Sequence, residues 1–401
     1  MRIRRVGILT AGGIAPCLSA AVGSLIAAYG QRDPAVEIRC YRFGYAGLLR
    51  GDSFAVTGEM RRCADRLLYF GGSVLGNSRV KLENQSDCLR RRLVEEGQDP
   101  QAVAAERLAA DGIDVLHTIG GDDTSAVAAG LAERLAREGH PMAVIGLPKT
   151  VDNDIHPIVQ TLGAATAAEE SAKFFTHAVN ECTTNPHMLV VHEVMGRNCG
   201  WLTAEAALRY RSWLDRQQLL ASIGLSRERW DLHGVYLPEL ELDIAREGER
   251  LARVMAAVGN VNIFVSEGAG VTTVLGEMER EGRTVPRDAF GHVQLDRVNL
   301  GQWLGERLAR DIGAEKLLVQ KSGYFARSSA PNAEDLQLIR DTVQLAVGHA
   351  FLGGSGVVGR DREMGGQLAL IDFSRIRGGQ PFDPSTAPFR ELLLSIGQVA
   401  G

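Results

Sequence analysis

At 401 residues the chain is long enough for two domains, because single cores rarely grow past about 250–300 residues. Its 45% hydrophobic share and 46 glycines fit a globular α/β protein with many tight strand–helix turns. The net charge of −5 argues against a general nucleic-acid binder and offers no basic membrane patch, and no apolar run reaches transmembrane length.

Residues 3–10 read as a first strand; the apolar run there is too short and too glycine-broken for a signal peptide, so the chain is expected in the cytoplasm. Ala11-Gly12-Gly13-Ile14-Ala15-Pro16 follows, then a small-residue helix to about Tyr29. Strand, glycine turn and helix together aim backbone N–H groups at an anion, although Gly-Gly turns also occur for packing alone. The full Gly-x-Gly-x-x-Gly dinucleotide fingerprint is absent. Val36–Phe43 reads as a second strand. Residues 70–79 form a Gly/Ser/Asn-rich loop ending in Arg79 and Lys81, suited to phosphate contact or simply to the surface. A charged amphipathic helix is predicted over 86–110. The next strand ends in Gly120-Gly121-Asp122-Asp123-Thr124, where Asp123 or Thr124 is a candidate N-cap for a helix at 125–138. A cap explains one polar residue, not two adjacent carboxylates behind two glycines.

The run Val144-Ile145-Gly146-Leu147 then breaks at Pro148 into Lys149-Thr150-Val151-Asp152-Asn153-Asp154. In a parallel sheet this is a buried strand delivering polar groups to the carboxyl edge, where ligands bind. Asp152 and Asp154 are two apart, so an extended segment puts both on one face. A polar loop with an Asx turn at Asn153 explains the composition equally well; the second strand end at 120–124 tips the balance toward a site for a metal and phosphates. A helix over about 162–181 follows, and His187–Val194 reads as a strand ending in Met195-Gly196-Arg197-Asn198-Cys199-Gly200-Trp201. Val261–Ser266 ends in Glu267, Lys316–Gln320 runs into Lys321-Ser322-Gly323-Tyr324-Phe325-Ala326-Arg327, and a helix covers about 333–351. Six scattered cysteines without a Cys-x-x-Cys pair read as reduced thiols, and His187 and His192 as structural.

The strand ends collect Gly13, Arg79, Asp122, Asp123, Lys149, Thr150, Asp152, Asp154, Arg197, Glu267, Tyr324 and Arg327. Phosphoryl transfer needs such a set: cations and N–H groups for phosphates, a carboxylate for Mg²⁺, and a base for the acceptor hydroxyl. Gly-Gly-Asp-Asp-Thr, Pro-Lys-Thr-Val-Asp-Asn-Asp and Met-Gly-Arg-Asn-Cys-Gly-Trp, in that order, closely resemble the 6-phosphofructokinases and, within them, the pyrophosphate-dependent branch. The resemblance runs collinearly from Thr10 to about Arg327. It implies an α/β fold of two Rossmann-like three-layer domains with mostly parallel sheets and an active site in the cleft between them. By that likeness a phosphate-donor domain spans 1–150 with a late return at about 321–385, and a fructose 6-phosphate domain spans 151–320.

Carried over position by position, the resemblance makes Asp152 the base for the sugar 1-hydroxyl, supported by Asp154, with Thr150 holding the transferring group. Asp122 would act on the cofactor Mg²⁺, directly or through a water. Gly13, Arg79 and Lys149 would contact pyrophosphate. Fructose 6-phosphate would be held by Met195, Gly196, Arg197, Glu267, Tyr324, Phe325, Ala326 and Arg327, with Thr150, Val151 and Asp152. A homodimer or homotetramer is implied, with no nucleic-acid or membrane partner. The ATP-dependent members have glycine where Asp123 and Lys149 stand. A carboxylate at 123 opposes a nucleotide's α-phosphate, and Lys149 adds a cation for compact pyrophosphate while narrowing the same opening. The rivals are an ATP-dependent sugar-phosphate kinase, a nicotinamide-dinucleotide or lipid kinase, which would leave the 149–154 and 195–201 stretches unexplained, and a non-catalytic regulatory subunit, which would need neither Asp152 nor Asp122.

Some positions depart from the pattern of the ATP enzymes. Ile14, Cys17 and Ser19 replace Asp, Gly and Asn in the first glycine loop. Gly23 and Ala27 stand where regulated bacterial enzymes carry effector-binding arginines, so insensitivity to those effectors is expected. Met188 falls where a neighbouring subunit would donate an Arg, and Tyr324 replaces a His; a phenol still donates a hydrogen bond.

Overall fold

The computed structural model describes residues 2–282, 285 and 298–398. Among these are strands β1 (Arg5–Thr10), β2 (Glu37–Tyr41), β3 (Ser53–Ala55), β4 (Val115–Gly120), β5 (Ala143–Pro148), β6 (Met188–Val194), β7 (Gly234–Tyr236), β8 (Asn260–Ser266), β9 (Lys316–Lys321), β10 (Gly356–Asp361) and β11 (Gln367–Ile371). They form two sheets, ordered β11-β10-β5-β4-β1-β2-β3 and β7-β8-β6-β9. The chain groups around them into two units, Met1–Ala167 with Arg327–Gln380 and Ala168–Ala326 with Pro381–Gly401.

In the first unit the central strands are parallel, and only the edges β3 and β11 pair antiparallel. Every residue of β4 and β5 is buried, which is why both lack the in–out alternation of a half-exposed strand. Helices Tyr45–Arg50, Pro100–Ala110 and Asp122–Arg137 pack on one face around Leu9, Leu116, Leu131 and Val144. Helices Leu18–Arg32 and Ala333–Leu352 cover the other. The chain runs from β1 to β2 on one side, while β4 lies on the other. Strand order therefore reverses between β1 and β4, and the crevice outside their carboxyl ends is where such a sheet binds ligands.

The second unit's sheet is parallel throughout. Helices Ile244–Val258 and Leu300–Ile312 pack on one face through Leu251, Met255, Trp303 and Leu304. On the other, Phe175 and Tyr210 of helices Ala164–Ala178 and Trp201–Asp215 meet Phe264 of β8. His192 of β6 stacks on Phe174 and Phe175, and burial lowers its pKa to about 3, so it is a neutral structural histidine, as expected. Each unit is thus a mostly parallel sheet between helical layers, the Rossmann-like arrangement expected.

Several expected boundaries differ. The predicted 86–110 helix is two, Gln85–Arg90 and Pro100–Ala110, because Arg92 (φ 54°) and Gly97 (φ 85°) turn the chain and Asp99 caps a new start at Pro100. The helix expected at 125–138 begins at Asp122 with Gly121 as N-cap. Neither Asp123 nor Thr124 caps it; both acids lie in the first turn, where exposed N–H groups favour negative charge. The helix expected to about 181 ends at Ala178 in a 3₁₀ turn, Val179–Thr183. Residues 151–167 group with the first sheet, not with the second unit, since Lys149 bridges Leu162 and Ile158 bridges Asp361 at the end of β10. The return runs from Arg327 only to Gln380; beyond it Gln398 holds both backbone groups of Val235 in the second unit. All six cysteines are free, and among the described residues no helix is long and apolar enough to cross a membrane.

Candidate active site

Three strand ends of the first sheet build one cavity of about 430 Å³. β1 delivers Ala11, Gly12 and Gly13, β4 delivers Gly121–Thr124, and β5 delivers Lys149, Thr150, Asp152 and Asp154; Ser78, Arg79, Val80 and Lys81 complete the lining with Tyr45. The glycine turn is shaped for close approach. Gly12 sits at φ +84°, which an L side chain resists, and a Cβ there would lie 3.1 Å from the Lys149 ammonium. A Cβ on Gly13 would touch Arg79 at 3.4 Å. The turn is tied to the 77–79 loop by Gly12 N–H to Ser78 O (2.9 Å) and by the Asn77 amide, which donates to the Gly12 and Gly13 carbonyls.

Lys149 is the cation at the centre of this arrangement. Its side chain is only 4% exposed and its Nζ donates to Gly13 O at 2.6 Å. Burial pushes its pKa down to about 8, and Arg79 pushes the same way, while Asp152 and Asp122 pull it back up. Asp123 is partnered separately, by Lys81 at 2.7 Å. The two residues expected to act as a pair therefore line one cavity but are held by different partners.

The 150–154 segment is not extended. Asn153 adopts φ 54°, so a bend rather than a strand pleat turns both Asp152 and Asp154 toward the cavity. Asn153 is the brace of this bend, though not through the expected Asx turn: its side chain bonds residues six and eight further on rather than two. Its Nδ2 donates to Val159 O (3.1 Å), and its Oδ1 accepts from the Thr161 N–H (2.8 Å). The buried Thr161 hydroxyl donates to Thr150 O at 2.7 Å, and Thr150 Oγ1 accepts from the Asp152 N–H at 3.1 Å. Asp154 titrates above its ordinary value, first because it is buried and also because Asp122 is negative; hydrogen bonds from the Thr150 hydroxyl and the Gly379 N–H oppose the rise.

Every first-unit residue expected in the site, except Val151 and Arg327, lines this cavity. Val151 is 6% exposed and has only its backbone to offer. Of the departures noted in the glycine loop, Cys17 donates its thiol to Leu162 O (3.3 Å) and Ser19 its hydroxyl to Gly72 O (3.0 Å), so both serve packing.

The second unit collects the remaining residues at the carboxyl ends of β6, β8 and β9. Gly196 lies at φ +125°, where a Cβ would fall 2.4 Å from Cys199 O, and the Ser266 hydroxyl donates to its carbonyl. Glu267 N–H bonds Val194 O at 2.9 Å, and Gly268 lies so close to Arg197 that a Cβ would fall 1.8 Å from that carbonyl oxygen. These contacts place Arg197 and Glu267 side by side. Met195 packs over Gly323, at the start of the short helix Gly323–Arg327. On that helix Tyr324 is 81% exposed, whereas Ala326 is buried and can contribute only backbone. Met188 is fully buried at the start of β6, so nothing at that position reaches solvent.

Sequence reasoning passed over four contributors. Lys81 was visible only as a cation in a loop; its opposition to Asp123 depends on tertiary placement. Thr161 carries no local signal beyond being polar. Gly378 and Gly379 lie more than 200 residues from the groups they meet: a Cβ on Gly378 would fall 1.7 Å from Asp122 Oδ2, and Gly379 N–H bonds Asp154. A Gly-Gly pair after the last strand was the available hint.

Comparison with known proteins follows the same geometry. The family model described as Phosphofructokinase matches residues 5–349. The chain is 58% identical over 398 residues to a pyrophosphate--fructose 6-phosphate 1-phosphotransferase of Methylotuvimicrobium alcaliphilum, covering 99% of this chain and 97% of that one. It is 57% identical, with the same coverage, to a protein of the same name from Methylomonas methanica. Among solved structures it is similar in fold to a pyrophosphate-dependent phosphofructokinase of Nitrosospira multiformis, with a TM-score of 0.72 at 18% identity, over 100% of this chain and 93% of that one.

Proposed function

Because the chain belongs to the phosphofructokinase family, we propose that it catalyses the reversible, Mg²⁺-dependent transfer of a phosphoryl group from pyrophosphate to the 1-hydroxyl of fructose 6-phosphate. The products are fructose 1,6-bisphosphate and phosphate, a glycolytic step that also runs toward gluconeogenesis. Lys149 carries the donor assignment: a buried ammonium at the glycine turn, beside Arg79, serves a compact polyanionic donor and occupies space a nucleotide would need. Asp123, paired with Lys81, adds a carboxylate to the same cavity and fills space there.

In the reaction Asp152 accepts the proton of the sugar 1-hydroxyl as its oxygen attacks the terminal phosphorus of pyrophosphate. The new O–P bond forms while the bridging P–O bond breaks, and that bond's electrons leave on phosphate. Lys149, Arg79 and the Gly13 backbone N–H stabilise the departing charge. Thr150 holds the transferring group, and Asp154 keeps the loop and base in place. Arg197, Glu267, Tyr324 and Arg327 hold the sugar phosphate, with Met195, Gly196 and Phe325, and with backbone from Val151 and Ala326.

Asp122 would hold Mg²⁺, directly or through a water. The donor set suits the ion: the negative charge of Asp122 lies close enough to Asp154 to raise its pKa, and both carboxylates line the cavity. A few hard oxygens, with other positions left to water and phosphate, suit this ion. When bound, it would neutralise charge on the phosphates. The protein acts in the cytoplasm as a homodimer or homotetramer, without the effector control of ATP enzymes. Turnover with fructose 6-phosphate and Mg²⁺ tests the reading: pyrophosphate should support it, and turnover only with ATP would overturn the donor assignment.

A further inference from the structure

The match to the family ends at residue 349, yet two carboxylates of the cavity are met by residues beyond it. After β11 the chain makes a 3₁₀ turn, Phe373–Arg375, and then crosses the 154–156 loop. Arg377 and His156 exchange backbone hydrogen bonds at 2.8 and 3.1 Å, and Gln380 N–H donates to Asp154 O at 2.9 Å. Between these anchors Gly378 lies directly on the Asp122 carboxylate: an added Cβ would fall 1.7 Å from Oδ2, 2.3 Å from Cγ and 2.9 Å from Cβ. Gly379 N–H donates to the Asp154 carboxylate. The segment is tied down at both ends. Arg375 pairs with the buried Asp361 at 2.7 and 3.0 Å, and the Gln380 amide oxygen, turned toward Arg362, accepts from both Nη atoms at 2.7 and 2.8 Å.

We propose that residues 377–380 form a strap that positions two carboxylates of the cavity, Gly378 through packing on Asp122 and Gly379 through its hydrogen bond to Asp154. The inference rests on the role proposed above for Asp122. Gly378 is required because no side chain fits between the strap and the carboxylate, although its backbone is not left-handed and it is exposed. With any larger residue, either Asp122 must rotate or the strap must lift, and lifting also withdraws the Gly379 N–H from Asp154. Groups that orient a metal carboxylate act this way, and their loss typically costs about 10–100-fold in metal affinity or activity.

The test is Gly378→Ala in the full-length protein, with Mn²⁺ as the probe of the metal carboxylate. Mn²⁺ binding in the presence of pyrophosphate, followed by electron paramagnetic resonance, should weaken about 10-fold or more, and kcat should fall by about 10–100-fold. KM for fructose 6-phosphate should change less than about threefold, because the strap acts on Asp122 and Asp154 rather than on the groups assigned to the sugar phosphate. Gln380→Ala releases the Arg362 anchor without introducing overlap and should give a smaller shift in the same direction; circular dichroism and Tm report folding of both. Unchanged Mn²⁺ binding and kcat in a folded Gly378→Ala variant would overturn the strap. Wild-type protein that lacks turnover yet binds Mn²⁺ in a Gly378-dependent way would overturn the proposed reaction and leave the strap standing.

Discussion

At the scale of single residues, the base and the buried cation are expected to fail in different ways when altered. Asp152→Asn keeps the shape of the loop and removes proton acceptance, so kcat should fall about 10²–10⁴-fold with a much smaller change in KM. Steady-state kinetics checks this; near-normal kcat would move the base, with Asp154 first in line. Lys149 loses its proton as pH rises through about 8 in the free enzyme, because burial disfavours its charged form. The kcat/KM for pyrophosphate should therefore be full below that pH and fall above it, and the fall should vanish in Lys149→Met at its own lower level. A falling limb that persists in the variant would assign it to another group. The polar residues of 120–124 and 148–154 were legible because strand ends in parallel sheets are where polar residues face ligands. Lys81 and Gly378 were not, since each matters only through a neighbour distant in sequence.

Among elements, the 150–154 bend brings both carboxylates to the cavity by a local route other than the one expected. Alternation predicted both carboxylates on one face of an extended strand. The chain instead bends at Asn153, and Thr161 locks the bend from eleven residues beyond Thr150. Thr161→Val removes the hydroxyl that donates to the Thr150 carbonyl and should cost about 0.5–1.5 kcal/mol of stability, read as a lower Tm, together with reduced kcat. Unchanged Tm and kcat would mean the brace is dispensable. The helix Leu18–Arg32 makes the opposite point. Gly23 is buried against the 3₁₀ turn Ala64–Tyr69, where a Cβ would lie 2.5 Å from Ala64 O and 2.9 Å from Leu67 Cβ, so no arginine fits. Rate measurements with nucleoside diphosphates and phosphoenolpyruvate should show no saturable effect; activation or inhibition competitive with neither substrate would reveal an effector site built from other residues.

For the whole molecule, an α/β protein with a parallel sheet was legible from buried strand runs separated by helical stretches, while the two Rossmann-like domains followed from the family resemblance carried by three motifs in fixed order. The boundaries between units were not, because no composition change marks residue 167 or 380 and only pairings such as Lys149 with Leu162 decide them. The central claim is that this fold carries a pyrophosphate site from which nucleotide is excluded by Asp123 and Lys149 acting in one cavity. Because they have separate partners, Lys81 and the Gly13 carbonyl, each single change should open the cavity only in part. Neighbouring changes sharing a ligand depart from additivity by about 0.5–3 kcal/mol, so the comparison needs all variants. The most direct measurement is kcat/KM for pyrophosphate and for ATP, with fructose 6-phosphate and Mg²⁺, in wild type, Asp123→Gly, Lys149→Gly and the double variant. Wild type should use pyrophosphate and not ATP, with ATP use rising and pyrophosphate use falling toward the double variant; a wild type that prefers ATP, or a double variant with no gain for ATP over either single, would contradict it.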